Sequence, residues 1–466
     1  MRLPSFPGLP PLAALLALLS LAAFAQRVAA DDTSEAISRL QAYIQVDTVN
    51  PPGNESRGTE FLGKILADAG IKYETAESAP GRGNIWARLK GGRAPALVLL
   101  HHMDVVPADA KYWDVDPLSG EIRNGYVYGR GAVDTKGLGI AELQAFIALK
   151  QSGKKLNRDV IFMATADEEA GGFYGAGWMV KNHREAFRNA GYLINEGGSG
   201  ALIGDTPVFR IEVTQKVPLW LRLTATDTPG HGSSPRLTSS VNRILRAGNR
   251  IAETQFERRL IPPVQAMFEA SAPFYKGEMS KKLANISENV TDNDFVTALR
   301  IEQPGSAALL SNTCSITRLE GSNKINVVPP TAAMELDCRL LPDQDPDAFI
   351  DLLKVVANDP NIKFEKIMAF TPAVSSTDTP LFRAISATLD SNFPGMKIIP
   401  SVSTGFTDSH FMRDINITSY GFAPFLYSED AKPGVHGNNE RINVETFNKG
   451  VQVMTDFVMR FATEDK

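Results

Sequence analysis

A chain of 466 residues with 43% hydrophobic content and no polar low-complexity tract has enough apolar material for at least one large core. Its formal net charge of -5 leaves no basic face for a phosphate backbone, which argues against nucleic-acid binding. With only six histidines in the chain, the position of each one carries information.

The N-terminus sets Arg2 before an apolar run from Leu12 to Phe24 and then small residues at Ala23, Ala25, Val28 and Ala30. That order predicts a cleaved secretory signal over residues 1–30. The run is short for a membrane span of about 20 residues, which disfavours an uncleaved anchor. Nothing later reads as a span, so the expected location is secreted or periplasmic.

Helical spacing over Ser34–Val46, Thr59–Ala69 and Leu138–Leu149 alternates with apolar strand patterns at Ala94–Leu100, Asp159–Thr165 and Gly191–Ile194. The alternation predicts an α/β domain with a mostly parallel sheet flanked by helices. From Val217 the pattern reads strand (Leu219–Ala225), helix (Ser239–Thr254), strand (Thr313–Leu319), strand (Ala332–Leu340), helix (Pro346–Ala357) and strand (Ile362–Ala369). That is a ferredoxin-like α+β unit. The first pattern resumes near Ser375 with a helix over Pro380–Ser391. The division is therefore a catalytic domain in two parts, 31–216 and 374–466, with an inserted lid over 217–373. The stretch from Phe256 to Leu310 has weak periodicity and reads either as a loop over the site or as a packing arm. Cys314 and Cys338 fall on what read as neighbouring strands and leave both a bridge and two buried thiols open.

Reactive groups in such a domain sit where strands end. The strand through Leu100 runs into His101-His102-Met103-Asp104, and alternation points His102 and Asp104 the same way. A metal-ligating histidine backed by a carboxylate has this form. Gly129-Arg130-Gly131-Ala132-Val133-Asp134 places one acid among glycines before a helix, where it suits a bridge between two cations as well as a helix cap. A buried strand ends in Asp167-Glu168-Glu169, and consecutive acids there need cations or solvent. Neighbouring Glu168 and Glu169 face different sides, so one suits a metal and the other a water as general base. Glu196 ends a further strand before Gly197-Gly198, and His436 lies in a polar turn. Two histidines and three carboxylates, with one acid to spare, form a donor set for two zinc ions.

In this order and with these neighbours, the motifs resemble the aminoacylase/carboxypeptidase family of co-catalytic zinc hydrolases, over nearly the whole mature chain. The resemblance implies two zinc ions per subunit, with cobalt or manganese as substitutes. His102 and Glu196 would hold one zinc, Glu169 and His436 the other, and Asp134 would bridge them. Asp104 would orient His102, and Glu168 would be the general base. In the lid, His231 would stabilise an oxyanion, often from a partner subunit, and Asn326 and Arg339 would hold a substrate carboxylate. Gly405, in Thr404-Gly405-Phe406-Thr407-Asp408-Ser409, would contact substrate. His410 has no counterpart in the family pattern, and His183, in a polar helical stretch, reads as solvated.

These residues predict hydrolysis of a peptide bond next to a free carboxylate in a small peptide. Deacylation of an N-acyl amino acid is the alternative, because the same metal chemistry serves both. A silent binding homologue is disfavoured, since neither the base nor any ligand is missing. A homodimer through the lid is expected, with a monomer whose own lid supplies His231 as the alternative.

Overall fold

The computed structural model describes residues 35–429 and 431–463, so the signal expected over 1–30 lies outside them. The catalytic part is built on a ten-stranded sheet. At its centre Arg158–Thr165, Ala94–His102, Ala190–Asn195 and Thr418–Gly421 run parallel, and antiparallel strands flank them on both sides. These central strands are apolar on both faces, as helices packed on both sides require. Leu97, Leu99 and Phe162 point into a core made by the helix over 35–44 and the helices Ser56–Asp68, Lys136–Gln151, Pro380–Asn392 and Val444–Thr463. Val98, Leu100 and Ile161 point to the other face, against Ala176–Asn182 and Ser409–Asp414.

Between Val217 and Ala369 lies a four-stranded antiparallel sheet. Its order, Thr313–Glu320, Thr331–Leu340, Val217–Thr226, Ile362–Ala369, is the ferredoxin-like arrangement. Leu219, Leu221 and Leu223 alternate into a separate core beneath the helices Ser240–Glu253 and Pro346–Ala357. Both helices start where local chemistry directs. The Ser239 and Asp345 side chains accept main-chain N–H groups of the first turn, and Pro346 stands where a helix has no N–H to lose. Cys314 and Cys338 face each other across Thr313–Glu320 and Thr331–Leu340 and are joined as a disulfide, which settles the open choice between bridge and thiols.

The segment from Phe256 to Leu310 is a helical arm, not a loop. It contains Pro262–Ser271, Gly277–Ala284, Asn293–Glu302 and shorter turns. Its Val264, Phe268 and Leu299 pack with Val208, Ile399 and Val402 from the edge of the large sheet. Among the described residues no helix is long and apolar enough to cross a membrane.

Candidate metal centre

Five side chains from five separate segments converge at the C-terminal ends of the parallel strands. His102 ends the strand Ala94–His102, and Glu196 follows Ala190–Asn195. Glu169 lies in the turn after Arg158–Thr165, and Asp134 lies just before the helix Lys136–Gln151. His102 Nε2 is 3.1 Å from Asp134 Oδ1 and 3.6 Å from Glu196 Oε1. His436 Nε2 is 3.1 Å from Asp134 Oδ2 and 3.0 Å from Glu169 Oε2. His102, Asp134 and Glu196 therefore form one group able to hold a metal ion, and Asp134, Glu169 and His436 form a second. Asp134 belongs to both, with one oxygen turned to each.

The donor chemistry fits two divalent cations. Three carboxylates crowd together, and Glu169 Oε1 is buried with no hydrogen-bond partner. Hydrogen bonds to Asp134 and Glu169 push His436 up to about 10. Burial disfavours a charged His102, yet Glu196, Asp104 and Asp134 raise it well above the usual imidazole value. Burial also opposes ionisation of Asp134, but the two imidazoles keep it below the carboxylate range. Positive charge is thus favoured on both sides of Asp134, where metal ions would supply it. Glu196 is pushed up to about 7, mainly by burial.

His102 Nδ1 donates to the main-chain carbonyl of Asp104 at 2.9 Å, which leaves Nε2 free as a ligand. The Asp104 carboxylate is 3.4 Å from the same nitrogen. Its closer partners are Asn50 Nδ2 at 2.8 Å and the main-chain N–H groups of Glu168 and Glu169 at 3.1 and 3.2 Å. Asp104 thus ties the histidine strand to the turn that carries the two acids. Glu168 is buried, and burial followed by the charge of Glu196 raises its pKa well above the carboxylate range. A carboxyl so placed has the proton affinity that a general base and acid needs.

The loops themselves are locked. Glu440 accepts the N–H groups of Gly131, Val133 and Asp134 at 3.1, 2.8 and 3.0 Å and the Arg130 guanidinium at 2.8 Å. Arg130 also donates to the Gly437 carbonyl at 2.8 Å, next to His436, which has a φ of 55°. That left-handed backbone, unusual for histidine, aims the ring at Asp134 and Glu169. Gly197 has a φ of +111°, and a Cβ there would meet a Glu212 carboxylate oxygen at 2.7 Å, so the turn after Glu196 requires glycine.

The lid candidates stand apart from this centre. His231 is exposed on the short strand Gly230–His231, and its Nδ1 accepts from Ser233 Oγ at 2.7 Å. Among the described residues no hydrogen bond or ion pair joins it to a metal-ligating side chain. Asn326 is exposed beside it, with its carbonyl accepting from Gly232 at 2.8 Å. Arg339 pairs with Asp337 at 2.7 Å and lies over the Phe406 ring at 5.4 Å, next to Gly405. Its Nη1 is buried without a partner.

Sequence reasoning gave no role to Glu440, Arg130, Asn50 or Asp408. An acid four residues after His436 and an arginine inside the glycine-rich segment were the available signals for the first two. Asp408 accepts from Thr165 Oγ1 at 3.0 Å, and burial pushes it up to about 8. His183, expected in solvent, is half-buried between Trp86 and Trp178, with ring centroids 5.4 and 4.9 Å away. His410 is buried against Phe370, and neither of its ring nitrogens has a hydrogen-bond partner among the described residues.

Known proteins share both the sequence and the fold. The family model for peptidase family M20/M25/M40 matches residues 98–460. The N-fatty-acyl-amino acid synthase/hydrolase PM20D1 of Xenopus tropicalis is 29% identical, over 94% of this chain and 88% of its own length. Aminoacylase-1A of Rattus norvegicus is 26% identical over 92% and 95%. The M20 family metallo-carboxypeptidase Sso-CP2 of Sulfolobus solfataricus superposes with a TM-score of 0.73, covering 92% of this chain and 99% of its own at 20% identity.

Proposed function

The chain belongs to peptidase family M20/M25/M40, and on that premise we propose that it is an exported, two-zinc amide hydrolase that removes the acyl group from an N-acyl amino acid. The observation that carries this reading is Asp134, shared between two ligand groups beside buried Glu168. Relatives named as an aminoacylase and as an N-fatty-acyl-amino acid synthase/hydrolase support the choice of amide. The disulfide supports export, because such bridges persist in oxidising compartments.

His102, Glu196 and Asp134 would hold one zinc, and Asp134, Glu169 and His436 the other. When bound, the metals acidify water and polarise the scissile carbonyl. Glu168 takes the proton from the attacking water and delivers it to the leaving amine. Arg339, through its unpaired Nη1, and Asn326 hold the amino-acid carboxylate, with Gly405 alongside. His231 donates to the oxyanion from the lid of a second subunit, which accounts for its exposure and its separation from its own centre. Asp104 acts by positioning.

Cleavage of a peptide bond next to a free carboxylate uses the same groups, and differs in what lies on the acyl side. The test is the zinc-loaded protein assayed on matched N-acyl amino acids and dipeptides, with Glu168→Gln as blank. Faster turnover of the N-acyl series supports deacylation; turnover of dipeptides alone overturns it. Full activity in Glu168→Gln would remove the base. For the dimer, mixing His231→Ala with Glu168→Gln should restore about a quarter of wild-type activity if subunits exchange and complete each other's sites. A monomeric mass in solution would refute it.

A further inference from the structure

Of the three consecutive acids at 167–169, the chemistry above uses Glu168 and Glu169 and leaves Asp167 without a task. Asp167 belongs to neither metal-ligating group. The turn that carries the other two is nonetheless built on it. Its φ of 72° puts a side-chain-bearing residue in the left-handed region, and its carbonyl accepts the N–H groups of Ala170 and Gly172 at 3.1 and 2.7 Å. Its side chain is caught by a buried arginine. Arg82 Nη2 donates to Asp167 Oδ1 and to Glu55 Oε1, each at 2.8 Å, and Glu55 Oε1 also accepts the Asp167 N–H at 3.3 Å. The Tyr174 N–H donates to the other Asp167 oxygen at 3.0 Å. Arg82, Glu55 and Asp167 are all buried.

The loop from Asn50 to Glu55 closes round the guanidinium. Arg82 Nη1 donates to the Pro52 carbonyl at 3.2 Å, and Gly53, with a φ of +107°, lies so close that a Cβ there would meet atoms of Arg82 and Glu55 at 2.7 Å. A planar guanidinium held at both ends fixes where its carboxylate partners lie, and burial keeps water from substituting for either one. His102, Asp134 and Glu196 stand on other segments, and among the described residues no hydrogen bond or ion pair joins them to Arg82. Asn50 Nδ2 links Asp104 to Asp167, but its bond to Asp167 is long at 3.4 Å against 2.8 Å to Asp104.

We propose that Arg82 is a positioning residue that acts through Asp167: it holds the left-handed turn that aims Glu168 and Glu169, and so serves the base and one of the two metal sites while sparing the other. The proposal rests on the two-metal reading above. Glu55 has a second role in it, since burial pushes its carboxyl up to about 7 and lets it take a proton when the guanidinium is removed, so that Arg82→Met does not strand two charges.

The experiment is titration of the metal-free protein with cobalt, followed by visible absorption and calorimetry, for wild type, Arg82→Met and Arg82→Lys. Glu169→Gln and Glu196→Gln identify which binding step belongs to which site. Arg82→Met should weaken the step lost in Glu169→Gln by about tenfold and leave the step lost in Glu196→Gln within about twofold. The kcat should fall by about tenfold with KM nearly unchanged, because substrate is held elsewhere. Arg82→Lys keeps the charge without the fork; it should weaken the same step by less, and it serves as the test if Arg82→Met does not fold. In an Asp167→Asn background, Arg82→Met should cost that step no more than about twofold, because the residue it acts through has already lost its charge. Equal weakening of both steps, weakening of neither, or the same tenfold loss in the Asp167→Asn background would overturn the proposal and leave the two-metal reading intact. A wild type that binds a single cobalt would overturn both.

Discussion

Arg130 and Glu440, 310 positions apart in the chain, form a buried ion pair at 2.8 Å that joins the loop of Asp134 to the turn of His436. The pair sets the spacing of two side chains that must meet across one metal. Glu440→Gln leaves the guanidinium without its counter-charge inside the protein. The variant should lose about 3 kcal/mol of stability and bind metal at least about tenfold more weakly. Urea unfolding of the metal-loaded and metal-free protein checks the first, and chelator competition the second. Unchanged metal affinity would refute a role in spacing the ligands.

Asp104→Asn keeps the size of a side chain that accepts from the N–H groups of both Glu168 and Glu169. The amide has one acceptor where the carboxylate has two, so one N–H loses its partner. Activity should fall about 10- to 100-fold, mostly in kcat, because the base is displaced more than the substrate. Steady-state kinetics with metal content measured by emission spectroscopy separates this from simple metal loss.

His101 lies beside the ligand His102 but faces the core, with its Nδ1 3.2 Å from Glu142 and its Nε2 3.3 Å from the Tyr43 hydroxyl. Burial lowers it from 6.5 to about 3, so the folded protein holds it neutral while the unfolded chain protonates near 6.5. Between those values the unfolded state binds more protons, and stability is lost as pH falls through that window. The loss approaches about 1.4 kcal/mol per pH unit for this one group. The unfolding midpoint of His101→Leu should show a shallower acid slope than wild type; an identical slope would assign the proton uptake elsewhere.

The Cys314–Cys338 bridge spans 24 positions within the lid sheet. Restricting the unfolded chain over a loop of that length is worth about 3 kcal/mol. The Cys314→Ser/Cys338→Ser double variant should unfold its lid earlier while the metal centre, built on the other core, keeps its ligands. Calorimetry with and without reductant measures this, and a reductant-insensitive wild type would contradict it.

Much of the centre was legible in the chain because each ligand sits on a local signal. His102, Glu169 and Glu196 follow apolar runs that must be buried strands, and Asp134 and His436 lie in turns rich in glycine or polar residues, where a side chain has nowhere to pack. Strand ends and tight turns come from a few adjacent residues, so their chemistry reads directly. The lid topology was legible for the same reason, since its strands and helices each carry a full period of apolar positions.

The rest depended on partners far apart. That Glu440 meets Arg130 and Asp134, that Asp104 holds the Glu168 turn, and that Cys314 lies opposite Cys338 follow from register and packing between distant segments, which leave no mark on either segment alone. The arm was hidden for a different reason. Some of its helices, such as Ile286–Asn289 and Pro304–Ala308, are too short to display a period, and they hold together because Val208, Ile399 and Val402 of the sheet edge complete their core. The sequence by itself determined which atoms are available to bind metal and move a proton. The tertiary structure alone decided how they are spaced, because spacing is a property of surfaces brought together by burial.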